Sequence, residues 1–129
     1  MSEQKKIIEL EYMLNTPPVI LYNRLSTPGG LSEWFADSVT AEGKVYSFIW
    51  SGIEEKAELT LRKENKMVRF QWLEENEGNT WFEFHINVDE LTGDVALVIV
   101  DNIDADEEKD TIDLWNKQID VLKRGLGSL

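Results

Sequence analysis

The fold is decided by residues 106–126, which read DEEKDTIDLWNKQIDVLKRGL. The apolar residues of this segment recur at spacings of three and four, which places them along one face of an α-helix. They are Ile112, Trp115, Ile119, Leu122 and Leu126. Acidic residues cluster at the start of the segment and basic residues lie near its end, as the helix macrodipole favours. The sequence therefore predicts a long C-terminal helix whose apolar face packs against another surface.

The strands that precede this helix provide that surface. Six segments either alternate apolar and polar residues or are apolar throughout, which are patterns typical of β-strands. They are residues 6–14, 45–50, 56–63, 67–73, 80–88 and 95–100. Short links with turn-forming residues, such as 42–44, 74–79 and 92–94, predict antiparallel pairing of neighbouring strands. Because most strands have one apolar and one polar face, we predict a sheet covered on one side only.

Two short helices are predicted after the first strand. Thr16 can cap the first helix, Pro17 suits its first position, and its body covers residues 19–25. Residues 26–30, which read STPGG, break that helix, and a second one is expected over residues 31–35 with Thr27 or Ser32 as its cap. The glycines are expected to leave this second helix free to move.

Together these elements predict a single α+β domain over residues 1–129. We expect a curved antiparallel sheet of six to seven strands, wrapped around the long C-terminal helix, with two short helices after the first strand. A chain of 129 residues can bury enough surface for one core of this kind.

Composition narrows the range of functions. The chain has no cysteine and one histidine, which excludes disulfides, thiolate catalysis and the usual zinc sites. A formal net charge of −12 disfavours binding to nucleic acid. The N-terminal residues lack the apolar run of a signal peptide, and the longest apolar run, residues 95–100, is too short to span a bilayer. We expect a cytoplasmic protein that binds neither nucleic acid nor membranes and uses no metal or other cofactor.

Residues 17–35, which read PPVILYNRLSTPGGLSEWF, carry a resemblance to a known family. They look like the beginning of the C-terminal domain of activators of the ninety-kilodalton heat-shock-protein ATPase. Residues 48–52, residues 70–72 and the closing helix from Trp115 to Leu126 are also similar to that family. The resemblance covers nearly the whole chain. It implies the helix-grip fold of the START-like, birch-pollen-allergen superfamily (SRPBCC), whose members hold apolar ligands between sheet and helix.

Twelve residues are candidates for a ligand site in that space. They are Trp34, Phe35, Tyr46, Phe48, Trp50, Phe70, Trp72, Phe82, Phe84, Trp115, Ile119 and Leu122. Their side chains either fill a solid core or line an apolar cavity, and both alternatives are open at this point. The polar groups expected to orient a ligand are the hydroxyls of Tyr12 and Tyr46 and the indole N–H groups of Trp50, Trp72 and Trp115.

Other features of the sequence have simpler interpretations. His85 lies on the polar face of its predicted strand and is expected to be a solvated surface residue. The acidic residues 101–108 lack the glycine and glutamate positions of an EF-hand loop and are interpreted as charges at a helix N-terminus. Trp34, with Leu31 and Phe35, is expected either to act as a lid over a cavity or to plug the end of the core.

Three functions are consistent with these features of the sequence. The preferred one is a non-enzymatic domain that binds a small apolar molecule. The first alternative is a protein-interaction module, with a chaperone as the partner that the family resemblance implies. The second alternative is an enzyme of the cyclase or hydratase kind, which the superfamily also contains. The sequence indicates no pair of polar groups in the predicted cavity, which is why the enzyme is ranked last.

Overall fold

The computed structural model describes residues 4–74 and 80–127. Ten strands and α-helices, joined by turns and one 3₁₀ helix, make up this part of the chain. They are β1 (Lys5–Leu14), α1 (Pro18–Ser26), α2 (Pro28–Leu31), β2 (Ser38–Glu42), β3 (Val45–Trp50), β4 (Ile53–Lys63), β5 (Met67–Trp72), β6 (Trp81–Val88), β7 (Val95–Asp104), a 3₁₀ helix (Ala105–Glu107) and α3 (Glu108–Gly125).

The seven strands form one antiparallel sheet in the order β1-β7-β6-β5-β4-β3-β2. The first and the last strand along the chain, β1 and β7, therefore lie side by side, with Ile8 opposite Asp101 and Tyr12 opposite Leu97. Alternation along the central strands buries Phe48, Phe70 and Phe84 completely on one face. The predicted antiparallel sheet, the long C-terminal helix and the short helices after the first strand are all confirmed.

The apolar face predicted for the C-terminal helix is also confirmed. Trp115, Ile119 and Leu122 are buried against the sheet, and Ile112 and Leu126 at the two ends of the face are partly buried. The α-helix begins at Glu108, two residues after the start of the predicted segment, because residues 105–107 form the 3₁₀ helix.

The bounds predicted for the two short helices were wrong in part. Pro17 occupies the cap position of α1 and Pro18 the first turn, and no side chain of the described residues, Thr16 included, caps that helix. The second helix comprises Pro28–Leu31 instead of residues 31–35. Thr27 does cap it, because the Thr27 hydroxyl oxygen accepts the backbone N–H of Gly30 at 2.9 Å. Residues 32–35 continue as turns.

Gly30 lies at a close contact between α2 and α1. A Cβ atom at this position would lie 2.2 Å from the Asn23 carbonyl oxygen and 2.7 Å from the Arg24 Cα atom, both in α1. Only glycine therefore allows α2 to approach α1 this closely. At Gly29, by contrast, an added Cβ would meet no described atom within 4 Å. This close contact at Gly30 is evidence against the expectation that both glycines free the segment to move, which the substitutions described in the Discussion test.

Several strand bounds also differ from the prediction. The strand β2 was not predicted, the start of β4 was placed three residues late, and the end of β7 was placed four residues early. A bulge in β4 between Leu59 and Leu61 shifts the register, so that Leu61 pairs with Arg69 and is exposed. The predicted turns at Gly43 and Gly93 are present, with φ values of 64° and 78°. The link over residues 74–79 falls largely outside the described residues.

The helices of this fold are short or amphipathic. Within residues 4–74 and 80–127, no helix has both the length and the apolar character needed to cross a membrane.

Candidate ligand-binding pocket

A pocket of about 450 Å³ lies between α3 and the ends of β3, β4 and β5. We call it the aromatic pocket. Its lining residues are Phe35, Trp50, Glu55, Trp72, Asp101, Thr111, Leu114, Trp115 and Gln118. The pocket lies in the space between sheet and helix where the candidate site was predicted.

The strands and the helix each supply tryptophan to this pocket. Trp50 is the last residue of β3 and Trp72 the last of β5, so both lie where those strands end, and both are only partly buried. Their ring centroids are 6.3 Å apart. Trp115 comes from the buried face of α3. A ligand that covered the exposed parts of Trp50 and Trp72 would remove apolar surface from water, which is favourable.

Phe35 holds these elements together. Its ring centroid lies 5.3 Å from that of Trp50, in an edge-to-face arrangement, and 5.7 Å from that of Trp115, in a stacked one. Its backbone carbonyl oxygen accepts two hydrogen bonds, from Trp50 Nε1 at 2.7 Å and from Gln118 Nε2 at 2.8 Å. One peptide group thus links the end of β3 to α3 and sets the distance between two walls of the pocket.

The structure brings four of the twelve predicted residues to the pocket: Phe35, Trp50, Trp72 and Trp115. The other eight are packed in the core beside it. They are Trp34, Tyr46, Phe48, Phe70, Phe82, Phe84, Ile119 and Leu122. The aromatic rings among them touch one another; Phe70 and Phe82, for example, are stacked with centroids 5.2 Å apart. The space between sheet and helix is therefore a filled core over most of its length, with an opening at one end.

Trp34 belongs to the filled part. Its side chain is buried, its ring lies 5.5 Å from the ring of Phe84, and its Nε1 donates to the Arg24 carbonyl oxygen at 2.8 Å. Leu31 beside it is completely buried. These contacts favour the interpretation of Trp34 as a plug of the core over its interpretation as a lid.

Most of the hydrogen-bond donors predicted to orient a ligand bond to the protein itself. The Tyr46 hydroxyl donates to the Ser26 carbonyl oxygen at 2.6 Å, and the Tyr12 hydroxyl to Asn116 Oδ1 at 2.6 Å. Burial raises the pKa of both phenols above the usual tyrosine value. Indole N–H groups are used in the same way: Trp115 Nε1 donates to Asp101 Oδ2 at 2.8 Å, and Trp50 Nε1 to Phe35.

Two carboxylates in the pocket, Asp101 and Glu55, were not predicted from the sequence. Asp101 is 8% exposed, and it faces inward because β7 continues past Val100 and keeps its alternation. Glu55 lies opposite Phe48, an inward-facing residue, because β4 begins at Ile53 and not at residue 56. The signal for Asp101 was present in the sequence, since it follows Leu97 and Ile99 at intervals of two.

His85 lies on the other face of the sheet, as predicted from the alternation along its strand. Its Nε2 is 2.7 Å from Glu83 Oε1, and Glu83 also pairs with Arg69 at 3.2 Å. The guanidinium of Arg69 lies over the ring of Trp81, 4.2 Å from the centroid. This outer face also has a wide depression of about 870 Å³ around Leu61 and Val88. On this face Glu83 pairs with both Arg69 and His85, whereas the aromatic pocket lies between the sheet and α3 and is lined by partly exposed tryptophans. We therefore place the candidate site at the aromatic pocket.

A sheet of seven antiparallel strands that packs on a C-terminal helix and leaves a pocket between the two defines a helix-grip domain. The family model of the START-like superfamily domain matches residues 1–128, and the chain therefore belongs to the START-like superfamily.

Solved structures agree with the assignment. The protein BfR322 from Bacteroides fragilis is 38% identical, with a TM-score of 0.67, over 97% of this chain and 93% of that one. The Aha1 dimer from Colwellia psychrerythraea has a TM-score of 0.79 at 19% identity, over 94% and 96% of the two chains. Protein MLL2253 from Mesorhizobium loti has a TM-score of 0.76 at 15% identity, over 92% and 95%. A comparison with curated proteins gives no match.

Proposed function

We propose that this protein is a non-enzymatic module that binds a small molecule with an apolar group in the aromatic pocket. The observation that supports the proposal best is the position of Trp50 and Trp72, two large rings that stay partly exposed beside a filled core. The pocket volume of about 450 Å³ lies within the usual range of small-molecule sites, about 300–1,000 Å³. A bound apolar group would complete the packing that the protein leaves open at this end.

Tryptophan fluorescence is the direct test. Three of the five tryptophans line the pocket, so an entering molecule is expected to change the emission when a panel of fatty acids, sterols and aromatic compounds is titrated. Thr111→Phe should fill the pocket from α3 and abolish the change. The matched control is Lys117→Phe, the same new side chain at an exposed position of α3, which should leave it intact. If the whole panel leaves the emission unchanged, the protein-interaction module with a chaperone-like partner becomes the better hypothesis.

The two pocket carboxylates favour one second candidate, an enzyme of the cyclase or hydratase kind. A carboxylate pair can supply a general acid and a general base. Asp101, however, already accepts the indole N–H of Trp115, an arrangement that anchors the tryptophan. The two candidates differ in the fate of the bound compound. A binding module returns it with unchanged mass after prolonged incubation, whereas a hydratase or a cyclase changes its mass or its chromatographic retention.

A further inference from the structure

The charge of the aromatic pocket has a single sign. Its acidic side chains are those of Glu55 and Asp101, and no lysine or arginine occurs among the lining residues in the part of the chain that the structure describes. Asp101 approaches from β7 and Glu55 from β4, so the two carboxylates stand on different walls. A concave site with apolar walls concentrates the field of such charges, and the formal net charge of −12 adds to it. This field attracts a cation and repels an anion.

The hydrogen-bonding groups of the pocket point to the same ligand chemistry. Three of its side-chain donors, on Trp50, Trp115 and Gln118, already donate to Phe35 or Asp101. A carboxylate has about four lone-pair positions, so Asp101 can accept from a ligand while it accepts from Trp115. A lining in which three of the five side-chain donor groups are bonded internally, and whose acidic groups are acceptors, fits a ligand that brings donors of its own.

The aromatic rings suit a cation as well. Trp50 and Trp72 are tilted by 55° to each other, and Phe35 stands edge-to-face to Trp50 at 75°. The negative face of a tryptophan attracts an ammonium group within about 6 Å of its centroid, more strongly when water is excluded.

From these observations we infer that the aromatic pocket binds organic amines, protonated at neutral pH, with an apolar body of aromatic or aliphatic carbon. The ammonium group lies between the carboxylates of Glu55 and Asp101, and the carbon body lies against Trp50 and Trp72. The inference rests on the proposed function and narrows it from small apolar molecules in general to cationic ones.

Three compounds of equal length test the inference by isothermal titration calorimetry on the intact protein. They are 4-phenylbutylamine, 4-phenylbutanol and 4-phenylbutanoate, which share one carbon body and differ in the charge of the end group. We expect the amine to bind at least about tenfold more tightly than the alcohol. One or two favourable charge contacts can supply this difference in binding free energy. The carboxylate should bind more weakly than the alcohol.

Isosteric variants identify the groups responsible. Glu55→Gln and Asp101→Asn keep the shape and remove one charge each, and both should lower the amine's affinity towards that of the alcohol without changing the affinity of the alcohol. Glu54→Gln is the matched control, because Glu54 is the exposed neighbour in β4 and lies outside the pocket. Glu55→Gln is decisive if Asp101→Asn loses its fold when the bond to Trp115 weakens.

Each outcome separates the inference from the proposed function. Equal affinities for amine and alcohol, or tighter binding of the carboxylate, would overturn the inference and leave the binding module in place. The same holds if Glu54→Gln and Glu55→Gln lower the amine's affinity equally, since the effect would then come from the net charge. If none of the three compounds binds, the inference fails, and the fluorescence titration with the panel of fatty acids, sterols and aromatic compounds decides the proposed function separately.

Discussion

Substituting Gly30 and Gly29 by alanine, one at a time, tests how α1 and α2 are held together. The two glycines are adjacent in α2, and the substitutions add the same methyl group. At Gly30 the new Cβ would lie 2.2 Å from the Asn23 carbonyl oxygen, about 1.2 Å inside the 3.4 Å at which ordinary contact begins. At Gly29 no described atom lies within 4 Å, so the methyl group enters open space.

We expect only the Gly30 substitution to lower the free energy of unfolding. Relief of the clash at Gly30 requires α2 to move away from α1, and overpacking of this kind costs about 1–3 kcal/mol. The Asn23 carbonyl oxygen also accepts hydrogen bonds from the Thr27 backbone N–H at 3.2 Å and the Thr27 hydroxyl at 2.9 Å, which the movement would weaken. We expect Gly30→Ala to lower the free energy of unfolding by about 2–4 kcal/mol. Gly29→Ala should leave it unchanged or raise it by up to about 1 kcal/mol, because alanine restricts the unfolded chain.

Urea denaturation followed by circular dichroism and by tryptophan emission measures both values. Agreement of the two probes would show that unfolding is two-state and that the free energies are comparable. Equal changes for the two variants, or a Gly30→Ala protein as stable as the parent, would refute the close approach of α1 and α2. The flexible segment expected from the sequence would then be the better description.

Three further predictions concern the core. Leu122→Ala should lower the free energy of unfolding by about 2–5 kcal/mol because it leaves a cavity under α3. Lys117→Ala should lower it by less than about 1 kcal/mol because the residue is exposed. Equal decreases for the two variants, measured by denaturation, would show that the wrong helix face was assigned. Trp34→Ala should destabilise the protein by about 3–5 kcal/mol without weakening amine binding to the folded protein. If calorimetry shows a weaker affinity for the amine while the stability is unchanged, the lid hypothesis is restored. Burial raises the pKa of the Tyr46 hydroxyl above its usual value near 10. The unfolded chain therefore loses this proton at a lower pH than the folded protein does. The contribution of Tyr46 to the free energy of unfolding is complete below about pH 10 and is lost as the pH rises further. Tyr46→Phe should therefore flatten the alkaline fall in the free energy of unfolding, and an equally steep fall in both proteins would contradict this.

The sequence predicted those parts of the fold that depend on local periodicity. The face of α3 with Trp115 and Leu122 follows from spacings of three and four, and the central strands follow from strict alternation. β2 was missed because it is a short edge strand in which Val39 alone is buried. The bounds of α2 were predicted wrongly because α2 is placed by the close approach of Gly30 to α1. A local sequence pattern does not encode that distance.

The pocket was predicted less completely than the core, for a physical reason. Phe35, Trp50 and Trp72 were named because large aromatics are buried in any fold of this class, but the sequence does not tell which of the twelve candidates meet solvent. Asp101 and Glu55 were missed because each lies near the end of a strand, where a difference of a few residues in the strand bounds decides whether a side chain faces the core or is left out of the sheet. These two charges are the ones on which the inferred ligand class depends.

The most direct test of binding in the aromatic pocket is a titration with 4-phenylbutylamine, followed by the indole N–H signals in a ¹H–¹⁵N correlation spectrum. The five tryptophans report on different places: three line the pocket, Trp34 lies in the core, and Trp81 lies on the outer face of the sheet. We expect progressive, saturable shifts for Trp50, Trp72 and Trp115, a small response of Trp34 and none of Trp81. Shifts that are largest for Trp81, or the absence of any saturable shift, would contradict it.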